Sequence, residues 1–315
     1  NYKGIVEHSV GDLTMTVKPG TTMKEISEQL GQHGQRIPLD AAWPERATIG
    51  GVVSANDSGP KRLRHGSARD HVIGLRVVYA DGKVIRTGGK VVKNVAGYDM
   101  NKLFIGAMGT LGVISELTIK LRPVPKYESL LLLHFPNNHL DKIRQFSVDL
   151  LDSMMEPVSL ELLNPALSER LCRQPSYTLA IAFEDRKEAV HYQENWVKDH
   201  VPEGVELAIL PSEEANAWWD DFLQIGPNGY NDDPDNSKVK AALKIGSNNM
   251  DVIEVLETAN ALSEEHGVDI DAHGGLGHGI SRTYVTGSAE NVISFTRALR
   301  LKVESLNGYV VCTHI

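Results

Sequence analysis

Gly106, Gly109 and Gly112 stand at G-x-x-G-x-x-G spacing inside GYDMNKLFIGAMGTLGVISELTIKL, residues 97–121. Glycines so spaced suggest a backbone that meets a nucleotide. A dinucleotide-binding βαβ unit, however, uses G-x-G-x-x-G between a strand and a helix, whose N-terminus then meets the pyrophosphate. Here Val113, Ile114, Leu117, Ile119 and Leu121 follow, and they read as a strand. Glycines before a strand let the backbone lie flat against a planar or bulky neighbour. That is the chemistry expected of this segment.

Three further stretches concentrate groups able to touch a ligand. In PERATIGGVVSANDSG, residues 44–59, Gly50 and Gly51 would leave backbone N–H groups free of side-chain cover, open to an anion. Asn56, Ser58 and Gly59 add polar and close-approach positions, and a tight strand-to-loop turn explains the same glycines equally well. In RLRHGSARDHVIG, residues 62–74, Arg64, Arg69 and Asp70 form either an internal ion-pair network or an exposed ion-pair loop, and His65 could stack on a ligand or donate to it. In KVVKNVAGYDMNKLF, residues 90–104, Lys93, Asn94, Tyr98 and Asp99 interrupt an apolar passage. A helix starting after Asp99 would make that residue an N-cap.

The elements that must position these groups follow from periodicity. DLTMTVKPGTT alternates as a half-buried strand ending in a Pro-Gly turn. TMKEISEQLGQHG follows as a helix, with Thr22 and Glu25 as a capping box and Gly34 as its stop. DHVIGLRVVYADGKVIRTGG reads as two strands joined by Asp81-Gly82. Two prolines in RPVPKYES mark a boundary, giving domains 1–123 and 124–315. Beyond it, strands near 129–135, 157–163, 178–183 and 205–210 alternate with helices near 138–152 and 186–199. A second set has strands near 240–246, 268–274, 279–286 and 308–313, with helices near 250–266 and 289–305. This is β-α-β-β-α-β twice, two ferredoxin-like units, so the fold class is α+β. Between the sets, residues 225–238 read as a polar loop. Trp218 and Trp219 read as buried core rather than a partner surface.

Composition narrows the function classes. The 315 residues are 41% hydrophobic and 23% charged, with a formal charge of −9, which argues against a nucleic-acid surface. Cys172 and Cys312 are the only cysteines, so no disulfide framework or Cys-rich metal or iron–sulfur site is available, and a reducing compartment is expected. No apolar run reaches membrane-spanning length, and LLLL at 130–133 is a strand core. The start, NYKGIVEHSV, lacks signal-peptide character and enters strand-like sequence at once.

Taken in order, ERATIGGVVSANDSG, RHGSARDHVIGLRVVYADG, KNVAGYD and GTLGVISELTIKLRP resemble the FAD-binding domain of the vanillyl-alcohol-oxidase-like (PCMH-type) flavoproteins. Within that family they are most similar to the FAD-binding subunit of bacterial glycolate oxidase, with GGKVVKNVAGYD as the narrower marker. The match covers about residues 5–123, and the tandem units fit the family's cap domain by pattern. The resemblance implies FAD, with Thr48, Ile49, Gly50 and Gly51 along its pyrophosphate and ribityl chain. It puts Asn56, Ser58, Gly59, His65 and Gly66 on the flavin side, Gly109, Gly112, Val113 and Ile114 near the cofactor, and Tyr98 and Asp99 close by. The family's P-x-G-G-G-T pyrophosphate loop would belong upstream of residue 1, so the resemblance implies an FAD-binding domain incomplete at its N-terminus. The family's cap motif H-x-G-D-G-N-x-H is replaced by AHGGLGHGI, residues 272–280: His273 persists, but Leu276, His278 and Ile280 differ. A metal is therefore not expected. The histidines become structural or pocket-lining.

The implied function is an FAD-binding subunit of a glycolate (2-hydroxy acid) oxidase or dehydrogenase complex that passes electrons to an iron–sulfur partner. The alternative is a non-catalytic assembly subunit that supports a catalytic flavoprotein homologue. No catalytic base stands out. Arg64, Arg69, His273 and His278 are substrate candidates, with Arg282 as a further anion clamp. A cytoplasmic protein is expected, with no membrane span and any attachment to the inner membrane made through partners.

Overall fold

Alternation in Thr14–Val17 makes a strand, but all four side chains are buried, because Thr16 Oγ1 meets Thr118 Oγ1 at 3.0 Å across the sheet. Polar alternation here marks a hydroxyl pair inside the sheet rather than a wet face. The computed structural model describes residues 2–89, 98–136, 139–228 and 238–315. The chain divides into two compact units, Asn1–Val124 and Pro125–Ile315.

The first unit contains, in chain order, β1 (Ile5–Ser9), β2 (Thr14–Val17), α1 (Met23–Gly31), β3 (Gln35–Arg36), α2 (Ile49–Ala55), α3 (Arg62–His65) and α4 (Ala68–His71). There follow β4 (Val72–Val78), β5 (Val84–Gly88), α5 (Asn101–Phe104), β6 (Val113–Lys120) and β7 (Arg122–Pro123). Its main sheet is antiparallel, in the order β1-β2-β6-β4-β5, and β3 pairs with β7. The glycine-rich run thus feeds the central strand of a sheet, as the sequence anticipates. The α1 capping box is formed by Thr22 and Glu25, and Met23, Ile26 and Leu30 are its buried face. Gly34 turns the chain with φ 63° just beyond it. The Asp81-Gly82 hairpin joins β4 and β5, with Gly82 at φ 80°. The core runs from Met15 and Val17 through Ile26, Ile49 and Val53 to Phe104, Leu117 and Ile119.

The second unit contains β8 (Tyr127–Phe135), α6 (Leu140–Asp152), β9 (Ser159–Leu163), α7 (Pro165–Cys172), β10 (Tyr177–Asp185), α8 (Lys187–His200), β11 (Glu206–Pro211) and α9 (Ser212–Phe222). Its other half contains β12 (Val239–Gly246), α10 (Asp251–His266), β13 (Asp269–Gly275), β14 (Ile280–Gly287), α11 (Ala289–Ser305) and β15 (Tyr309–His314). The two β-α-β-β-α-β sets share one eight-stranded sheet, in the order β11-β8-β10-β9-β13-β14-β12-β15. The order reads the same from either edge, as in an internal two-fold whose seam is the β9–β13 ladder. That ladder pairs Leu163 with His273, Leu162 with Gly274 and Glu161 with Gly275. Asn164 reinforces it: its Oδ1 accepts from Leu167 N, capping α7, and from Ala272 N on β13.

Two helices beyond the expected pattern, α7 and α9, cover one sheet face. There Leu167, Ala215, Trp218, Trp219 and Phe222 pack on Leu130, Leu132, Leu163, Ala180 and Ala182. The tryptophans are core, as the sequence suggested. On β8 and β10, Leu131, Leu133, Leu179 and Ile181 alternate to the opposite face. Of the polar loop 225–238, residues 229–237 lie outside the described residues.

Candidate functional site

In the first unit the ligand-competent motifs gather around α2. Residues 49–55 form a helix rather than a loop, capped by the Thr48 side chain. Its first-turn N–H groups are all used: Ile49 donates to Thr21 O, Gly50 to Pro19 O and Gly51 to Thr48 Oγ1. The expectation that Gly50 and Gly51 present free amides is therefore corrected. At Gly50 the lack of a side chain serves packing. A Cβ on Gly50 would lie 2.9 Å from the Pro19 carbonyl oxygen, whereas Gly51 is exposed and its nearest neighbour would be Thr48 Oγ1 at 3.2 Å. Ile49 is fully buried.

The C-terminal end of α2 meets the glycine run. Asn56 takes a left-handed conformation with φ 47°, and Gly106 and Met108 donate to the carbonyls of Val53 and Ser54. Asn56 Oδ1 is buried without a hydrogen-bond partner among the described residues, next to Gly106. A buried acceptor of that kind costs about 1–3 kcal/mol unless something supplies a donor. Around it the run is left-handed at Gly106 and Gly109, with open space over Gly109. Met108 is 70% exposed and Val113 66%, while Ile114 turns into the core. A Cβ on Gly112 would press on Val77, so that glycine serves strand contact. The sequence order alone does not disclose the contact between residues 53–56 and 106–108.

Gly59 is fixed by Asp40, whose carboxylate accepts from Gly59 N (3.0 Å) and Lys61 N (2.7 Å). Desolvation pushes the Asp40 carboxyl up to about 6 against those two donors. Ser58 is buried and accepts from Arg62 Nη1. His65 is buried too; Arg36 Nη2 approaches its Nε2 at 3.2 Å, and its carbonyl accepts from His71 Nε2. Burial holds the His71 ring below its usual pKa.

Of the three residues Arg64, Arg69 and Asp70, the last two take partners other than each other. Asp70 closes a capping box with Ser67, and Arg69 Nη1 donates to Lys102 O. Gly66, at φ 79°, makes room for the Asp70 carboxylate. Tyr98 is 92% exposed, and Asp99 accepts from Asn101 N just ahead of α5, close to the N-cap role expected of it. Lys93 and Asn94 lie outside the described residues.

In the second unit a buried carboxyl and imidazole meet at the β9–β13 seam. Glu161 is 2% exposed, and its Oε1 lies 2.6 Å from His273 Nδ1, itself 5% exposed. Burial drives the Glu161 carboxyl up to about 8, opposed by His278 and Arg282. Burial, helped by Arg282, takes His273 down to about 3. Both directions describe one state: an uncharged ring beside a carboxyl that keeps its proton to unusually high pH. His278 Nδ1 accepts from Ile280 N, and its Nε2 lies 3.9 Å from Glu161 Oε2. Leu276 is wholly buried. No group of three or more His, Cys, Asp or Glu suited to a metal occurs among the described residues. Neither Glu161 nor Tyr284 was singled out from sequence, since their contact with His273 depends on strand register.

Residues 1–88 match the family model described as FAD binding domain. Glycolate oxidase subunit GlcD of Bacillus subtilis is 39% identical over 160 residues, 51% of this chain and 34% of that protein. Glycolate oxidase subunit GlcE of Escherichia coli is 40% identical over 126 residues, 40% of this chain and 36% of that one. D-lactate dehydrogenase of Archaeoglobus fulgidus is 26% identical over 304 residues, 94% of this chain and 67% of that protein. The chain thus spans about a third of the length of the two glycolate oxidase subunits it matches. Among solved structures, an alkyldihydroxyacetonephosphate synthase superposes with TM-score 0.75 at 17% identity, covering 98% of this chain and 61% of that one. A 4-ethylphenol oxidase from Gulosibacter chungangensis gives 0.76 at 15%, covering 98% and 69%. The FAD binding domain match falls within the first unit. Its sequence relatives bear the names of oxidases and dehydrogenases of 2-hydroxy acids.

Proposed function

We propose that this chain belongs to the FAD-binding subunit of a glycolate or other 2-hydroxy acid oxidase, which hands electrons to an iron–sulfur partner. The residues present fit the cofactor. The observation that carries the reading is the meeting of α2 with the glycine run, where Asn56 Oδ1 is buried without a hydrogen-bond partner among the described residues, beside Gly106 and near the open space over Gly109. Bound there, FAD would supply hydride acceptance and onward electron transfer. The protein would supply shape and hydrogen bonds. Half-buried Thr48 and exposed Gly51 would face the pyrophosphate and ribityl chain while buried Ile49 and Gly50 hold α2 in place, and Asn56, Ser58, Gly59, His65 and Gly66 would flank the flavin side. Gly109, Gly112, Val113 and Ile114, with Tyr98 and Asp99, complete the surround. In this reading residues 1–123 hold the cofactor and residues 124–315 form the substrate cap, where His273, His278 and Arg282 are the candidate contacts, with Arg64 and Arg69 in the first unit. Full-length protein should purify yellow and bleach anaerobically with glycolate or D-lactate. Protein that takes up no flavin on reconstitution would end this reading.

A second reading has its own observation. Leu276 lies in the core where the resembled motif has an acid, and His273 is bound to Glu161. An assembly subunit, holding flavin but serving a catalytic homologue, accounts for that. Bound flavin that no 2-hydroxy acid reduces would decide for it.

A further inference from the structure

The Asp40 carboxylate bridges a loop of which it is not a part. Oδ1 accepts from Gly59 N at 3.0 Å and Oδ2 from Lys61 N at 2.7 Å, so both oxygens hold amides, 19 and 21 positions further along the chain. Asp40 is half-buried as a residue, but its carboxyl is turned against the Gly59 α-carbon. A Cβ on Gly59 would lie 2.5 Å from the Asp40 carbonyl oxygen and 2.7 Å from Oδ2. The lack of a side chain at position 59 thus makes room for this carboxylate. The segment is pinned at its other end as well, where Asn56 N donates to Val53 O and Asp57 N to Val52 O. Between the anchors stand Asn56, whose buried Oδ1 has no hydrogen-bond partner among the described residues, and Ser58, buried and accepting from Arg62 Nη1. Residues 56–61 are therefore held at both ends, and the Asp40 anchor is one that can lose its charge.

We propose that Asp40 is a positioning residue for the cofactor: its ionised carboxylate sets residues 56–61 in the conformation that receives the flavin, and protonation releases them. This rests on the FAD reading above, in which Asn56, Ser58 and Gly59 flank the flavin. An ionised carboxylate offers lone pairs to both amides. Once protonated, one of its oxygens carries a hydrogen, and its hold on Gly59 N or Lys61 N weakens. Desolvation favours that proton and places the carboxyl at about 6. Lys61 acts on Asp40 in the opposite sense, favouring the ionised form, and Asp57 and Arg62 are the other charged residues of this stretch. The sign separates positioning from a purely structural role. The carboxyl is raised from 3.8 to about 6, so the folded first unit holds the proton more tightly than the unfolded chain does. The stability this contributes is lost as pH rises between those values. A group that merely stabilised the fold would loosen the cofactor as pH rises. A positioning carboxylate does the reverse, and flavin is held less well as pH falls.

The test uses full-length protein. Flavin affinity, read from flavin fluorescence, should be level at neutral pH and weaken about tenfold per pH unit below the midpoint at about 6, since only the ionised fraction binds. Asp40→Asn keeps the shape but turns an N–H donor toward an amide N–H. It should weaken flavin binding by about 10- to 100-fold at neutral pH, the loss expected for a hydrogen bond to a charged group, and flatten the profile. In the same protein stripped of flavin, the nitrogen-15 amide signals of Gly59 and Lys61 should shift with a midpoint at about 6 and stay still in Asp40→Asn. Affinity that is flat across the range, or that falls as pH rises, overturns the positioning role. So does an Asp40→Asn protein with wild-type affinity and profile, or a pair of wild-type amides that does not titrate. The wild-type measurements decide the matter even where the variant fails to fold. Protein that takes up no flavin while both amides titrate defeats the proposed function and the positioning role with it. Bound flavin with a flat profile defeats the positioning role alone.

Discussion

Gly50 and Gly51 are neighbours with different tasks. A methyl on Gly50 would strike Pro19, which anchors the start of α2, while Gly51 faces outward. Gly50→Ala should therefore destabilise the first unit by about 1–3 kcal/mol, the usual range for overpacking, and lower retained flavin. Gly51→Ala should change little by comparison. Thermal melts and flavin-to-protein absorbance ratios would check both. At Glu161 and His273 the pH dependence has a defined sign. Glu161 is raised from 4.5 to about 8, so the folded state holds its proton more tightly, and stability falls as pH rises between those values. His273 is lowered from 6.5 to about 3, so stability falls as pH drops through that window. Between 4.5 and 6.5 the slopes oppose each other. The second unit should be most stable there and lose stability between pH 6.5 and 8, and Glu161→Gln should flatten that upper limb in urea titrations.

At the scale of elements, much was legible. Thr22 and Glu25 announced α1 because a capping box is a local signal. The eight strands and four long helices of the tandem units emerged from period alone. Helix α9 was readable too, since Ala215, Trp218, Trp219 and Phe222 follow i, i+3, i+4, i+7, but its proximity to β11 masked it. By contrast α2 looked like a turn, because Gly50 is a packing device whose partner, Pro19, lies 31 positions earlier in the chain. The candidate site was legible where one motif holds it and illegible where Asn56 meets Gly106 or Glu161 meets His273, contacts set by tertiary register. Gly274 offers a test of the seam. A Cβ there would lie 2.5 Å from Ser281 Cβ and 2.6 Å from Val252 Cγ1. Gly274→Val should cost the second unit about 1–3 kcal/mol or more, measured by calorimetry.

At the scale of the molecule, residues 125–315 contain the whole eight-stranded sheet and the core packed on its α7 and α9 face. Expressed alone, they should give a mixed helix–strand circular dichroism spectrum and a cooperative melt. A chain that stays unfolded would show that this unit depends on the first. No helix among the described residues is long and apolar enough to cross a membrane.

The seam also bears on the order of events during folding. Each half of the large sheet closes its own four strands from neighbouring sequence, whereas the β9–β13 ladder has three residue pairs and joins positions about 110 residues apart. Loop closure makes such distant pairing the slower entropic step. Refolding should accordingly show two kinetic phases, with the halves forming first and the burial of Glu161 against His273 reporting on the second.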